Sequence, residues 1–373
     1  MRIVVAPDSF KGSLTSSEAA AAIAHGIRQV IGDADVIEFP IADGGEGTLA
    51  MIASHERMAI EYLAVPAADD APIQSPYCVI DLDGRACAVI ESAAIVGMAQ
   101  ARSRSILDRS TCDIGRLIAQ LLEQDIRSFV LALGGSATND GGAGMLAELG
   151  VGLFDAELRS VAPTPRGLLR LQHVSFAALD ARIAESKLLA LADVDNPLAG
   201  PHGASRTFGP QKGLQGADIE RIDAALAHFG ELCAAARGHD WSRQAGSGAA
   251  GGLGFAIRVL GGDIAPGAAW LAQRYRLAEQ IANADWVITG EGRSDAQTLR
   301  GKAPLCVAQL AREARVPVSL ISGAVDISAW PQLGALFSDY FALASAPGDT
   351  AAMREAAQRL QRAAAAWARL RVC

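Results

Sequence analysis

Lysine is scarce in this sequence of 373 residues and occurs only at Lys11, Lys187, Lys212 and Lys302. Three of them, Lys11, Lys212 and Lys302, lie in loops next to glycine. Because arginine is the usual cation of this chain, a lysine indicates a site that needs the compact charge of an ammonium group and not the planar guanidinium of arginine. The three loop lysines are therefore candidate binding residues for a small anion, with chance placement as the alternative.

The cysteines and histidines show no disulfide or metal pattern. The six cysteines form no CxxC pair and have no regular spacing, and the six histidines include no HExxH and no pair at helical spacing. This disfavours a disulfide framework and the common zinc motifs. It also leaves a catalytic histidine without support from the sequence.

The sequence also lacks a long apolar run and an excess of positive charge. No run approaches the roughly 18 apolar residues of a transmembrane helix, and the apolar part of the N-terminus MRIVVAPDSF is too short for a signal peptide. The net charge of −8 disfavours nucleic acid as a partner, because a phosphate backbone requires a basic surface. We therefore expect a cytoplasmic protein that acts on small molecules, with no nucleic-acid or membrane partner.

Several familiar catalytic motifs are absent. Neither GxxxxGK[ST] nor the HRD and DFG pair occurs, which excludes P-loop kinases and protein kinases. GxSxG is missing, which disfavours an α/β-hydrolase. The first apolar segment continues into APDSFKGS and not into GxGxxG, so a nicotinamide dehydrogenase has only the predicted sheet in its favour.

The two ends of the chain share an alternating pattern of strands and helices. A predicted strand at 2–6 is followed by a capping box, Thr15 to Glu18, that begins a helix. A strand at 35–40 and a helix at 46–54 follow, and this order is typical of a parallel α/β sheet. A similar alternation returns near the C-terminus of the chain.

The middle of the chain has a different character. Short β-prone segments at 77–82 and 86–91 flank Asp83–Gly84, a hairpin-like turn, and helices and glycine-rich loops follow. We predict two α/β domains. One is a discontinuous, Rossmann- or flavodoxin-like parallel-sheet domain at 1–60 and 265–373, and the other is an inserted α/β domain at 61–264.

Glycine-rich polar loops follow at least five predicted strands. In open parallel sheets, ligands bind beyond the carboxyl ends of the strands, although a single such loop would indicate only a turn. The five together predict a polar active site in the cleft between the two domains. They are 7-PDSFKGS-13, 42-ADGGEG-47, 134-GGSATNDGG-142, 193-DVDNP-197 and 289-TGEGRSD-295.

The contents of these loops fit phosphoryl transfer. Gly134–Gly135 and Gly141–Gly142 leave backbone N–H groups at the start of a helix for anionic oxygens. The loop lysines can neutralise phosphate or a substrate carboxylate, and carboxylate oxygens suit Mg²⁺. Phosphoryl transfer needs these parts, although a helix cap or turn is about as common a role for any one aspartate. The loop carboxylates are Asp43, Glu46, Asp193, Asp195, Glu291 and Asp295.

At these loops the sequence resembles the type-1 glycerate kinase family. The shared motifs run from residue 2 to about 322: APDSFKGSLTSSEAA, PIADGGEGT, LGGSATNDGGAGML, DVDNPLAGPHGAS, FGPQKG, GAAGGLG and ITGEGRSDAQTLRGKAP. The resemblance implies phosphorylation of D-glycerate to 2-phosphoglycerate with ATP and Mg²⁺, which leads glyoxylate or glucarate breakdown into glycolysis. It also implies two domains with the site between them. The oligomeric state stays open, and a homodimer is compatible with the sequence.

Two segments depart from the family pattern. Where the family tends to have a Tyr-Gly-Thr-Gly run before a helix, this chain has 110-STCDIGRLI-118. Any role of that run's glycines therefore does not carry over to this chain. Residues 323–348 are also only loosely similar, and neither departure touches the main loops.

On this resemblance we assign roles in catalysis and substrate binding as hypotheses. Asp193 is the first choice for the general base at the glycerate hydroxyl, or for a carboxylate that orients the metal, and Asp295 or Asp43 is the alternative. Lys11, helped by Ser9, and Arg293 would hold the glycerate carboxylate or the transferring phosphoryl group. The predicted catalytic residues are Asp193, Lys11, Arg293 and Asp295, and the predicted substrate-binding residues are Ser9, Lys11, Asp43, Gly44 and Arg293.

The turn that begins at Gly134 is the predicted cradle for the nucleotide phosphates. It could instead hold the glycerate carboxylate. The predicted nucleotide-binding residues are Gly134, Gly135, Ser136, Thr138, Asn139, Lys212 and Lys302. The predicted Mg²⁺ ligands are Asp193, Asp295 and Glu291.

Other functions remain as alternatives. The phosphoryl group could be transferred to the 3-hydroxyl of glycerate or to a related small hydroxy acid. A non-catalytic protein that binds a hydroxy acid would bind its ligand without ADP release. It is disfavoured, because a pure anion binder gains nothing from carboxylates of the kind that bind metals. An oxidoreductase that acts on hydroxy acids is the third hypothesis.

Overall fold

The computed structural model describes residues 1–66, 72–101, 104–299, 301–344 and 353–372. The chain forms two compact units. Unit 1 consists of Met1–Asp43, Ala50–Arg57 and Pro266–Cys373, and unit 2 consists of Gly44–Leu49 and Met58–Ala265. The predicted domain boundaries at 60/61 and 264/265 stay a prediction.

The strands have the following bounds in chain order: β1 (Arg2–Pro7), β2 (Asp35–Glu38), β3 (Glu61–Val65), β4 (Ile73–Leu82), β5 (Arg85–Glu91), β6 (Ser128–Ala132), β7 (Gly152–Phe154), β8 (His173–Ser175), β9 (Lys187–Leu191), β10 (Asp263–Ala265), β11 (Trp286–Gly290), β12 (Arg293–Ser294), β13 (Val318–Ser322), β14 (Ala324–Val325) and β15 (Asp339–Ala342).

The α-helices have these bounds: α1 (Ser16–Arg28), α2 (Thr48–Glu56), α3 (Ser92–Val96), α4 (Cys112–Glu123), α5 (Ala143–Glu148), α6 (Pro165–Leu168), α7 (Ala204–Phe208), α8 (Ala217–Arg237), α9 (Leu253–Val259), α10 (Gly267–Arg274), α11 (Leu277–Ala282), α12 (Ala303–Ala314), α13 (Trp330–Leu333) and α14 (Ala356–Val372). Among the described residues, no helix combines the length and the apolar character needed to cross a membrane.

The main sheet of unit 1 is parallel throughout its described strands. Its order is β15-β13-β11-β1-β2. When these strands are numbered along the chain, the order is 2-1-3-4-5, which is the flavodoxin-like arrangement. The nearly continuous apolar sequence of β1 fits this position, because a central parallel strand is buried on both faces.

Alternate side chains of β1 pack into different cores of unit 1. Ile3 and Val5 pack with residues of α1 and α14, including Trp367. Val4 and Ala6 belong to the core that α10, α11 and α12 cover on the other face. At the start of α1, Thr15 accepts from the Glu18 N–H and the Glu18 carboxylate accepts from the Thr15 N–H, which confirms the predicted capping box.

The main sheet of unit 2 is mixed. Its order is β10-β9-β6-β5-β4-β3, in which β10, β9, β6 and β5 are parallel and β4 and β3 are antiparallel at one edge. Asp83 and Gly84 connect β4 to β5 with φ values of 55° and 76°. Two positive φ angles are the requirement of a tight hairpin turn, so the predicted hairpin is confirmed.

The glycines and prolines of residues 193–213 predict one long loop, and this prediction was incomplete. This segment contains the short helix α7 and a 3-10 turn at Pro210–Lys212. Both are too short to show helical periodicity between glycines and prolines. The alanine-rich C-terminal segment of the sequence predicts a final helix at about 350–370. In the structure α14 begins at Ala356, and residues 350–352 of that prediction lie outside the described residues.

Candidate functional site

Two of the predicted loops meet in unit 1 at the carboxyl ends of neighbouring strands. β1 and β11 pair in parallel with Pro7 opposite Gly290, so the segments 8–13 and 291–295 begin at the same edge. The N–H of Asp8 donates to the Gly290 carbonyl at 2.8 Å. The strand order of the sheet reverses between these two strands, and ligands of such sheets usually bind at that point.

Glu291 forms the centre of a buried polar cluster in unit 1. Its Oε1 atom accepts hydrogen bonds from Thr298 Oγ1 at 2.6 Å and from Ser294 Oγ at 3.1 Å. Its Oε2 atom lies 2.9 Å from Lys302 Nζ. Burial raises the pKa of Glu291, and the Lys302 charge opposes that rise. Burial lowers the pKa of Lys302, but the charge and hydrogen bond of Glu291, together with the charges of Asp43 and Asp295, raise this pKa overall. The hydrogen bonds that Thr298, Ser294 and Lys302 donate to the Glu291 carboxylate favour an ionised pair of Glu291 and Lys302 at neutral pH.

Asp8 is a site residue that the sequence analysis did not single out. It is buried at the end of β1, and one of its oxygens accepts from the Ser9 N–H at 2.6 Å. Its pKa is raised well above the ordinary value, first by burial and then by the nearby charges of Asp43 and Glu291. The signal was present in the sequence as an aspartate directly after an apolar strand.

Three of the residues predicted to hold the substrate, Ser9, Lys11 and Arg293, lie in the same two loops of unit 1, whereas Asp43 ends the first segment of unit 1 and Gly44 begins unit 2. Lys11 and Arg293 are exposed and Ser9 is half-buried. Arg293 Nε lies 3.1 Å from Asp295 Oδ2. A side chain added at Gly292 would approach the backbone nitrogen of Lys11 to 3.3 Å, so the two loops are in close contact. Their predicted roles stay predictions.

Three further predicted loops come together in unit 2. β6 and β9 are parallel neighbours, so the turn at 134–139 and Asp193 both follow strand ends at one edge of the sheet. The Gly134 N–H donates to the Gly44 carbonyl at 3.0 Å. A Cβ atom at Gly134 would lie 2.5 Å from the Cα of Gly45. The backbones of the two glycine loops therefore touch, and only glycine permits this approach.

Lys212 holds the turn at 134–139 from inside unit 2. Its buried Nζ atom donates to Ser136 Oγ at 3.1 Å and to the Thr138 carbonyl at 2.8 Å. Burial lowers the pKa of Lys212 to about 7. Asn139 Nδ2 donates to Ser205 Oγ at 2.8 Å and fixes the other end of the turn. The predicted role of Lys212 in nucleotide binding stays a prediction; its contacts position the turn.

Comparison with known proteins decides the family. The model of the glycerate kinase family matches residues 3–372. The chain belongs to the glycerate kinase family. It is 39% identical over 347 residues to the glycerate kinase of Bacillus subtilis (strain 168), covering 91% of this chain and 90% of that protein. It is 38% identical over 328 residues to the glycerate 2-kinase of Escherichia coli (strain K12), covering 87% and 86%.

A solved structure supports the same conclusion. The crystal structure of a protein named as glycerate kinase 2 from Salmonella typhimurium LT2 matches with a TM-score of 0.83 and 35% identity, over 100% of this chain and 98% of that one. The resemblance inferred from the motifs is therefore confirmed, as is the fold class of two α/β domains. Like its relatives, this member of the glycerate kinase family is an enzyme, a kinase.

The structure also explains what the departing segment at 110–118 does in this family member. Thr111 donates to the buried Asp140 carboxylate through both its N–H and its Oγ1 atom, each at 2.8 Å. Asp140 also accepts from the N–H groups of Gly142 and Gly144 at the start of α5. The segment therefore fixes the helix that follows the turn at 134–139.

Glu91 is another residue that sequence reasoning missed in this glycerate kinase family member. Its buried carboxylate accepts from the N–H groups of Gly47 at 3.1 Å and Leu49 at 2.9 Å. A carboxylate at the first turn of a helix satisfies donors that have no partner within the helix. Glu91 thereby attaches the loop 44–47 to the end of β5 within unit 2. No sequence signal marks it, because it continues an apolar strand.

We expect Gly134→Ala to destabilise this glycerate kinase family member by about 1–3 kcal/mol, since the added methyl group would overpack the contact with Gly45. Urea unfolding measures this. Gly32→Ala is the matched control, because its Cβ atom would meet no atom closer than 4.0 Å. Equal stability of the two variants would contradict the close contact between the glycine loops.

Proposed function

We propose that this kinase transfers the terminal phosphoryl group of ATP to the 2-hydroxyl of D-glycerate and forms 2-phosphoglycerate. The observation that carries the proposal is the turn at 134–139, which ends a parallel strand in glycines and is held by the buried cation Lys212. Such a turn presents backbone N–H groups to phosphate oxygens. The relative from Escherichia coli named glycerate 2-kinase supports the choice of the hydroxyl.

Asp193 is our proposed general base for the acceptor hydroxyl. It follows β9, the parallel neighbour of the strand that leads into the turn at 134–139. A carboxylate near the attacking hydroxyl can take up its proton as the bond to phosphorus forms. Asp295 or Asp43 is the alternative base. Arg293, Lys11 and Ser9 would hold the carboxylate of the acid or the transferring phosphoryl group. Asp43 and Gly44 stay predicted substrate-binding residues.

The carboxylates of unit 1 fit a Mg²⁺ ion that binds together with the phosphates of ATP. Asp43 raises the pKa of the buried Asp8, and a cation would relieve such repulsion between carboxylates. Among the described residues, no group of three or more His, Cys, Asp or Glu side chains is arranged to hold a metal ion. Mg²⁺ usually takes one or two protein carboxylates and completes its shell with phosphate oxygens and water. A pair of carboxylates without a larger group of ligands is therefore compatible with Mg²⁺ bound to ATP.

The contacts of Glu291 and Asp295 bear on which carboxylates would bind Mg²⁺. Both oxygens of Glu291 already accept hydrogen bonds or face Lys302, and Asp295 faces Arg293. These contacts favour Asp8 and Asp43 over Asp295 and Glu291 as metal ligands, and Asp193 stays a predicted ligand. When bound, Mg²⁺ would neutralise charge on the transferring phosphates.

Release of ADP from ATP tests the proposed function. We expect purified protein to release ADP only when D-glycerate and Mg²⁺ are both present, and an excess of EDTA to stop the release. Lactate, which lacks the 3-hydroxyl, should be a weak acceptor, whereas 3-hydroxypropionate, which lacks the 2-hydroxyl, should be none. The reverse preference would move the reaction to the 3-hydroxyl. Binding of glycerate without any ADP release would replace the kinase by a binding protein.

A further inference from the structure

Arg109 lies beside the turn at 134–139, and its contacts leave one guanidinium nitrogen without a hydrogen-bond partner among the described residues. Its Nη1 atom donates to the Ala137 carbonyl at 3.3 Å and to the Lys212 carbonyl at 3.0 Å. Its Nε atom donates to the Arg104 carbonyl at 3.0 Å. Its Nη2 atom has no hydrogen-bond partner among the described residues, and it is not enclosed. The fork is therefore fixed on one side and available on the other.

The turn carries more positive than negative charge at this point. The pKa of Lys212 is lowered to about 7 by burial, which the Asp140 charge opposes and the Arg109 charge reinforces. Asp140 is the carboxylate that faces this lysine, and it already accepts four hydrogen bonds from Thr111, Gly142 and Gly144. A bound anion would offset the repulsion between Arg109 and Lys212 and favour the charged form of Lys212.

The exposed side of the same turn also has donors without acceptors. Gly135 is exposed and has a φ of 83°. The N–H groups of Gly135 and Ser136 donate to no acceptor among the described residues. Consecutive backbone N–H groups of this kind form an anion-binding concavity. Arg109 and the turn thus supply donors of the two types that bind a phosphate group.

We propose that Arg109 is a phosphate-binding residue of this kinase, with Nη1 fixed on the turn and Nη2 bound to an oxygen of the nucleotide phosphates. The assignment rests on the proposed function, in which the turn at 134–139 holds ATP. It adds a cation that the family motifs did not mark. A planar fork suits this task, since one nitrogen can hold the protein while the other holds the ligand.

The test compares nucleotide binding by Arg109→Gln, Arg109→Lys and a matched control. The control is Arg127→Gln: Arg127 Nη1 donates to the carbonyls of Leu122 at 2.8 Å and Ile126 at 2.9 Å, just before β6. Calorimetry measures the Kd values of ADP and of adenosine, and steady-state kinetics measures KM for ATP and for D-glycerate. The control should match the unmodified protein in all of these.

We expect Arg109→Gln to raise the Kd of ADP by about 10- to 100-fold, as for the loss of a hydrogen bond between charged groups. The Kd of adenosine should change less than about twofold, because adenosine has no phosphate. KM for ATP should rise and KM for D-glycerate should not. Arg109→Lys should lie between, since the single nitrogen of an ammonium group cannot reach both the carbonyls of the turn and a phosphate oxygen as the separate nitrogens of a guanidinium do. This variant tests the proposal if Arg109→Gln does not fold.

Two results would overturn the inference. One is an unchanged Kd of ADP in both Arg109 variants. The other is an equal loss of ADP and adenosine affinity, which would make Arg109 only a structural support of the turn. Failure of the proposed function has a different signature: the unmodified protein would release no ADP with D-glycerate, while the calorimetric comparison could still be made with ADP.

Discussion

We expect Asp193→Asn to lower the rate of ADP release with D-glycerate by about 10²- to 10⁴-fold, which is the range for loss of a general base. The substitution keeps the size of the side chain but removes its ability to take up the hydroxyl proton. KM values for ATP and D-glycerate should stay close to those of the unmodified protein. The coupled ADP-release assay at saturating substrates measures the change.

The matched control for this substitution is Asp195→Asn. Asp195 is two residues further along the same loop and is exposed, so its replacement should change turnover less than about twofold, as for an ordinary surface substitution. Urea unfolding should show both variants folded. Near-normal turnover of Asp193→Asn would rule out Asp193 as the base and would move the role to Asp295 or Asp43.

The second large effect concerns the ion pair between the buried Glu291 and the half-buried Lys302. Lys302→Met should lower the free energy of unfolding by about 3 kcal/mol, because it leaves the Glu291 carboxylate buried without its cation. Glu291 is 4% exposed and its Oε2 atom lies 2.9 Å from Lys302 Nζ. Urea unfolding of the purified variant measures the loss.

A double-mutant cycle separates the charge from the packing. The double variant Glu291→Gln with Lys302→Met should be more stable than Lys302→Met alone, since no unpaired charge then remains. Lys187→Met is the control, because Lys187 is exposed at the start of β9, and it should change stability by less than about 0.5 kcal/mol. If Lys302→Met were as stable as this control, the ion pair would make no contribution to the free energy of unfolding.

The sequence predicted the sheets and the loops at their ends because those features depend on local patterns. Apolar runs such as Ile3–Ala6 and Phe129–Ala132 are buried on both faces, and glycines follow them where the chain turns. The strand–helix alternation at both ends of the chain then fixed the fold class. The close contact of Gly134 with Gly45 was not predictable in detail, since it depends on how two distant loops pack.

The residues that sequence reasoning missed are those whose role comes from distant partners. Arg109 is one arginine among many, and it contacts carbonyls 28 and 103 residues further along the chain. Asp8 lies in a recognised motif, but its raised pKa arises from burial and from Asp43 and Glu291. Burial and long-range charge have no periodic signature, so they required the folded chain.

Phosphorus NMR of the product tests the central claim most directly. Purified protein with Mg²⁺, ATP and D-glycerate should produce ADP and a new phosphomonoester resonance that is a doublet, because the phosphorus of 2-phosphoglycerate couples to the single proton on C2. A triplet would place the phosphate on the 3-hydroxyl, where two protons couple. Intact ATP without a new phosphomonoester resonance would contradict the glycerate kinase activity proposed for this chain.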